Sequence, residues 1–173
     1  MEAGSSQQDS PVLRPVRWPE DEPFLESVYA STRAMEMAMV PWSAEQKAAF
    51  CRMQFVAQHT DYRRNYPAAA WDIIERGGAA IGRLYVDRGE SAIHILDITL
   101  LPEHRGAGIG MRLLRTLQEE ASAADKTLGI HVEKFNPARR LYERLGFRTK
   151  EDKGVYLLME WRGSAECAVR SAE

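Results

Sequence analysis

Three glycines, Gly106, Gly108 and Gly110, recur on alternate positions in EHRGAGIGMRLL (103–114), just ahead of an apolar pattern with helical spacing. Glycine within a helical turn costs about 1 kcal/mol relative to alanine. Three together imply either conformations that glycine alone adopts readily, or something pressed against bare main chain. A dinucleotide fingerprint would need glycine at 111, where Met111 stands, and a P-loop would end in Gly-Lys-Ser/Thr. What remains is a strand entering a helix through a turn of unobstructed amides. Such a helix start attracts anions through its unpaired N–H groups and its dipole. A phosphate on the main chain is one reading, and a close helix-to-sheet packing turn is the other.

A strand and a helix must hold that turn. SAIHILDITLLP supplies a long strand ended by Pro102, and Ile109, Leu113, Leu117, Ala121 and Ala124 mark the apolar face of the helix that follows. LGIHVE (128–133) is the next strand, and a strand–helix–strand unit implies parallel pairing. Upstream, AAWDIIE, the turn RGG (76–78) and AAIGRLYV form a hairpin, and a further turn at Asp87 to Gly89 extends it into an antiparallel meander. Downstream, Asn136 is a candidate N-cap with Pro137 at the first helical position, Leu141 and Leu145 on one face, and Gly146 as C-terminal cap. GVYLLMEW (154–161) closes the sheet.

The N-terminal part predicts an edge strand in VLRPVRW (12–18) and helices over 21–34 and 43–60, the second capped by Ser43. Met35, Met37, Met39 and Trp42 lie in the connection broken by Pro41. They are read as core, with a pocket-lining loop as the alternative. The fold class is therefore α/β (α+β): one domain over 11–162, with a mixed central sheet, antiparallel N-terminal strands and flanking helices. Polar segments at 1–10 and 163–173 read as flexible tails.

Composition narrows the partners. With 173 residues, 45% of them hydrophobic, the chain can build one ordinary core. Its 23 basic and 25 acidic residues give a charge of -2, which predicts no nucleic-acid or membrane partner. MEAGSSQQDS has no apolar stretch suited to a signal peptide, and a cytoplasmic location is expected. Cys51 and Cys167 have no metal-binding or nucleophile pattern around them and read as spectators, so no metal is expected.

Arg105-x-x-Gly108-x-Gly110, following a strand that ends in proline, resembles the R/Q-x-x-G-x-G/A signature of the GNAT superfamily of acyl-CoA-dependent N-acetyltransferases. NPARRLYERLGF (136–147) is similar to that family's second signature, an Asn-initiated helix with a tyrosine four residues before a Gly-Phe pair. The similarity runs from about residue 69 to 161. Residues 1–66 match only as a strand and two helices, the part that varies in the family and helps build the acceptor pocket.

The resemblance implies acetyl-CoA as cosubstrate and an amine-bearing acceptor. By that analogy the main chain of Arg105, Gly106, Ala107, Gly108, Ile109 and Gly110 wraps the CoA pyrophosphate. The strands at 93–101 and 127–133 form a splayed parallel pair with the pantetheine arm between them. The backbone around Leu100 holds the thioester, where an N–H can stabilise developing negative charge. Asn136 contacts the pantetheine arm, and Tyr142 matches the general acid that protonates the departing thiolate. The reference pKa values, about 10 for a phenol and about 8.5 for a thiol, make that transfer workable when the local thiolate is the stronger base. Packing beside Leu141 and Leu145 is the plainer role for Tyr142.

Three residues are candidates for the base. His94 matches the position where histone-type members carry Glu and arylalkylamine-type members carry His. His131 matches the position where the N-terminal acetyltransferases of ribosomal proteins carry Glu. Either imidazole suits proton uptake near neutral pH, although a histidine in a strand is commonly structural. Asp97 is the third, since an unpaired carboxylate in ILDITLL is costly to bury. Polyamine acetyltransferases carry an acidic pair at 96 and 97, of which Leu96 replaces one member. Asp97 either steers a cationic acceptor or pairs with an arginine. Arg139 and Arg140 read as a solvated face, and Tyr62, Arg63, Arg64 and Tyr66 either border the acceptor site or form a surface turn. The functional alternatives are a catalytically silent CoA-binding module and a transferase for longer acyl chains. The acceptor is not readable, and a homodimer is one of the oligomeric states common in the family.

Overall fold

A computed structural model describes residues 10–163. Nearly all of the predicted N-terminal tail, Cys167 and the C-terminal tail lie outside the described residues. The elements run β1 (Val12–Pro15), α1 (Glu22–Ala38), α2 (Ala44–Asn65), β2 (Ala70–Arg76), β3 (Ala79–Arg88), β4 (Ala92–Leu100), a 3-10 turn (Pro102–His104), α3 (Ile109–Ala123), β5 (Thr127–Glu133), α4 (Arg139–Arg144), β6 (Arg148–Lys153) and β7 (Tyr156–Arg162). The strands make a seven-stranded mixed sheet in the order β1-β2-β3-β4-β5-β7-β6. Neighbours β1 and β2 pair antiparallel, β4 and β5 parallel, and β7 antiparallel to both β5 and β6.

The chain divides into two compact units. One comprises the residues up to Tyr85 with Asp97–Ile109, and the other Val86–Leu96 with Gly110 onward. In the first, Gly77 and Gly78 both have positive φ, the conformation that a two-residue hairpin between β2 and β3 demands. Ser43 and Gln46 close a reciprocal capping box at the start of α2. The core gathers Leu25, Val28 and Tyr29 of α1, Phe55 of α2, Ile73 and Ile74 of β2 and Ile81 and Leu84 of β3.

The methionine segment departs from the sequence reading. Nothing in residues 22–38 interrupts a helix, so α1 runs through Met35 and Met37 and stops just ahead of Pro41, whose ring disfavours helical backbone in the residue before it. Its buried stripe ends at Tyr29, which leaves Met35 and Met39 87% and 85% exposed rather than in the core. Trp42 is also exposed, edge-on to Phe50. Met37 alone of the four lines a groove between α1 and α2.

In the second unit, Leu128, Ile130 and Val132 of β5 and Leu113, Leu114, Leu117 and Ala121 of α3 are buried. Ala124 falls beyond the end of α3 and is exposed. The pairing of β4 with β5 covers Ala92–Ile95 against Thr127–Ile130, although β4 continues to Leu100 and β5 to Glu133. Beyond Ile130, β5 continues its pairing with β7 alone. The expectation that β7 closes the sheet is corrected by β6, which forms the edge. RTKEDK is exposed along its whole length and has no buried face to betray a strand, and its charges suit an edge that must not recruit another chain.

The second signature folds in two steps. Asn136 is not the N-cap of α4: its Oδ1 accepts from the Ala138 N–H at 2.9 Å in a turn, Pro137 precedes the helix, and the helical residues begin at Arg139. Gly146, at φ +87°, ends α4 in a double-bonded C-terminal motif: Gly146 N–H donates to Glu143 O, and Phe147 N–H to Tyr142 O. The accompanying apolar contact is the Phe147 ring against Tyr142. Gly146→Ala is expected to cost about 1–2 kcal/mol in urea unfolding, since an L side chain is strained at this φ.

Candidate active site

After β4, the Leu101 N–H donates to Ile81 O, and the 3-10 turn leads into the glycine segment. Gly106 and Gly108 sit at φ +76° and +77°, which explains two of the glycines by conformation. Gly110, already in α3, needs no such allowance. A Cβ built at Gly106 or Gly108 would meet nothing within 4 Å, and one at Gly110 would make only an ordinary contact, 3.8 Å from Leu141 Cδ2. Close packing of the glycines against the protein therefore does not account for them. The first turn of α3 carries no acidic side chain, so its N-terminal amides keep their affinity for an anion. Arg105 Nε donates to Leu100 O at 2.9 Å, tying the turn to the end of β4.

His94 and His131, two of the base candidates, meet. The Nε2 of His94 lies 3.0 Å from the Nδ1 of His131, with the rings tilted edge to face. His94 is half-buried and His131 exposed. Gly129, opposite His94 in the β4–β5 register, makes room: a Cβ there would come 3.1 Å from His94 Nδ1. Burial pushes the pKa of both imidazoles below the ordinary histidine value. The neighbouring His131 and Lys153 add to this at His94, and Lys153 adds to it at His131. Asp87 opposes the shift at His94 and Glu151 opposes it at His131.

Asp97 lies among different partners. Its Oδ2 accepts from Arg83 Nη2 at 2.7 Å and its Oδ1 from Thr99 Oγ1 at 2.7 Å. Arg83 is 1% exposed, also donates to Gln58 Oε1, and stands over the Tyr85 ring. Burial pushes the Tyr85 phenol up to about 12. Of the two readings of Asp97, pairing with an arginine is what the structure contains. Arg83 itself escapes the sequence reading because it stands in a strand-forming run. An arginine inside AAIGRLYV, set against the aspartate of the next strand, is the available signal.

Tyr142 is 5% exposed, its ring 5.8 Å from that of Phe147. Asn136 is exposed and held by its turn. Arg63 stands over Trp71 and Tyr62 tilts against the same ring, so these residues brace β2. The structure thus joins His94 to His131 and Leu100 to Arg105, and gives Asp97 separate partners.

Residues 67–149 match the family model of the acetyltransferase (GNAT) domain. Over that segment the chain is similar to the GNAT superfamily. Among curated proteins none matches the sequence. Solved structures with the same fold include the PaiA N-acetyltransferase of Thermoplasma acidophilum in complex with coenzyme A, at 18% identity and TM-score 0.65, with 89% of this chain and 99% of that one covered. An acetyltransferase from Thermus thermophilus is 19% identical with TM-score 0.64, covering 89% and 97%. A GNAT family acetyltransferase from Elizabethkingia anophelis with acetyl-CoA bound is 14% identical with TM-score 0.58, covering 90% and 99%. No group of three or more potential ligands that could hold a metal ion occurs among the described residues. Nor is any described helix long and apolar enough to cross a membrane.

Proposed function

We propose that the protein is an N-acetyltransferase that transfers the acetyl group of acetyl-CoA to a primary amine by direct attack in a ternary complex. The observation that carries this reading is the glycine turn, bare main chain that the protein does not fill, leading into a helix start with no acidic side chain. The residues fit the cosubstrate: the amides of Arg105 to Gly110 suit a pyrophosphate, and the side-chain NH2 of Asn136 remains a donor for the pantetheine arm while its Oδ1 serves the turn.

Bound acetyl-CoA supplies an activated thioester carbonyl. The Leu100 N–H would stabilise charge developing on that carbonyl oxygen, and Tyr142 would deliver a proton to the departing thiolate. Proton removal from the acceptor falls to the histidine pair, in neutral form near pH 7 because both pKa values are lowered. Asp97, with both oxygens engaged, anchors Arg83 and is the weaker candidate for base.

The test is calorimetric titration with acetyl-CoA, followed by a screen of primary amines for release of free CoA. Gly110→Asp is the control for the cradle. A carboxylate in the first turn of a helix is intrinsically stabilising by about 0.3–1 kcal/mol, so the variant should fold, yet it repels a pyrophosphate. Its Kd for acetyl-CoA is expected to rise about tenfold or more, a loss near 1.4 kcal/mol. Wild-type protein that binds no acetyl-CoA overturns the reading. Binding without turnover on any amine favours the silent module, and turnover only with longer acyl-CoA favours the alternative donor.

A further inference from the structure

The geometry points to a division of labour between the two histidines: His131 is the base, through its Nε2, and His94 is the positioning residue that holds it in the competent tautomer. This rests on the acetyl-transfer reading and concerns the same site. A neutral imidazole carries one N–H, so the 3.0 Å contact between His94 Nε2 and His131 Nδ1 has one donor and one acceptor. If His94 donates, the proton of His131 sits on Nε2, its outer nitrogen has no lone pair, and the remaining lone pair of the dyad is on His94 Nδ1. That atom is turned toward Gly129, where even a Cβ would come within 3.1 Å. If His131 donates from Nδ1, its Nε2 lone pair is free on an exposed side chain, and His94 keeps its own proton on Nδ1. Only the second arrangement gives the dyad an accessible base.

The step balances without another reactant. The Nε2 lone pair of His131 takes a proton from the acceptor ammonium, whose N–H bonding pair stays on nitrogen and becomes the attacking lone pair. The resulting imidazolium donates from Nδ1 to neutral His94, a charge-assisted bond stronger than the one it replaces. Its proton then passes to water from Nε2. The groups facing the dyad are Asp87 of β3 and Lys153 and Glu151 of β6. Gly129 completes the device, because a side chain there would displace the His94 ring.

The experiment has two readouts. Long-range 1H–15N spectra of the histidine rings report tautomers in the intact protein without substrate, and kcat/KM against pH reports the base during turnover. Expected are His131 protonated on Nδ1 in the wild type and a shift to the Nε2–H tautomer in His94→Phe. His131→Gln should lower kcat/KM by about 10²–10⁴-fold and remove the acidic limb of the profile. That limb should fall below pH ~6.5, the ordinary histidine value, because both shifts are downward: activity is complete above it and declines as pH drops. His94→Phe should cost about tenfold, and His94→Gln, whose Oε1 can still accept from Nδ1, should recover most of it. Wild-type His131 carrying its proton on Nε2, or a His131→Gln profile matching wild type, overturns the assignment. Absence of turnover with every amine instead overturns the transfer reading, while the spectra still judge the tautomer.

Discussion

Tyr142→Phe is expected to lower kcat by about 10²–10⁴-fold while leaving acetyl-CoA affinity and thermal stability close to wild type, the range typical of losing one positioned acid. The substitution keeps the ring packing and the backbone bond that end α4. Tyr142 is 5% exposed and its ring packs against Phe147, a contact that a phenylalanine ring keeps. The carbonyl of residue 142 accepts the Phe147 N–H that ends α4, and that backbone bond is indifferent to the hydroxyl. Stopped-flow release of CoA thiol, beside calorimetric Kd, separates the effects: a fall in kcat with constant Kd marks an interaction made in the transition state. An unchanged kcat would reduce Tyr142 to the packing role.

Arg83→Met is expected to destabilise the protein by about 3–5 kcal/mol, the usual consequence of stranding one charge of a buried pair. Asp97 would lose the cation 2.7 Å from its Oδ2 and Gln58 its donor, in a place where Arg83 is 1% exposed. Against a typical total of about 5–15 kcal/mol, that is a large fraction of the stability. The double variant Arg83→Met/Asp97→Asn should regain much of the loss, because a neutral amide still accepts from Thr99 and leaves no unpaired charge. Urea unfolding of the two single variants and the double gives the coupling directly. Equal losses in Arg83→Met and the double would mean that the arginine acts through its packing on Tyr85.

Much of the fold around the candidate site is legible in the sequence because its signals are local. Helix and strand periods place β2 to β5 and α3 within a few residues, since hydrophobic spacing follows directly from side-chain direction. The turn of Gly106 and Gly108 is equally visible, as φ near +76° is a property of single residues and glycine is its natural occupant. Exposed β6 is not, because a strand with no buried face has no period to read. Sequence spacing ends α1 too early because methionine at a helix end says little about burial, and only the packed partner of each turn decides it.

The residues alone determined which groups are present for chemistry: a glycine-rich helix entry, two imidazoles on strands of the sheet, one carboxylate in an apolar run and one tyrosine before a Gly-Phe pair. They could not decide how those groups are partnered. Tertiary structure joined His94 to His131 across the β4–β5 register, with Gly129 opening the space, and gave Asp97 to Arg83. Both outcomes depend on pairings between positions 37 and 14 residues apart, set by strand register, which no local pattern encodes.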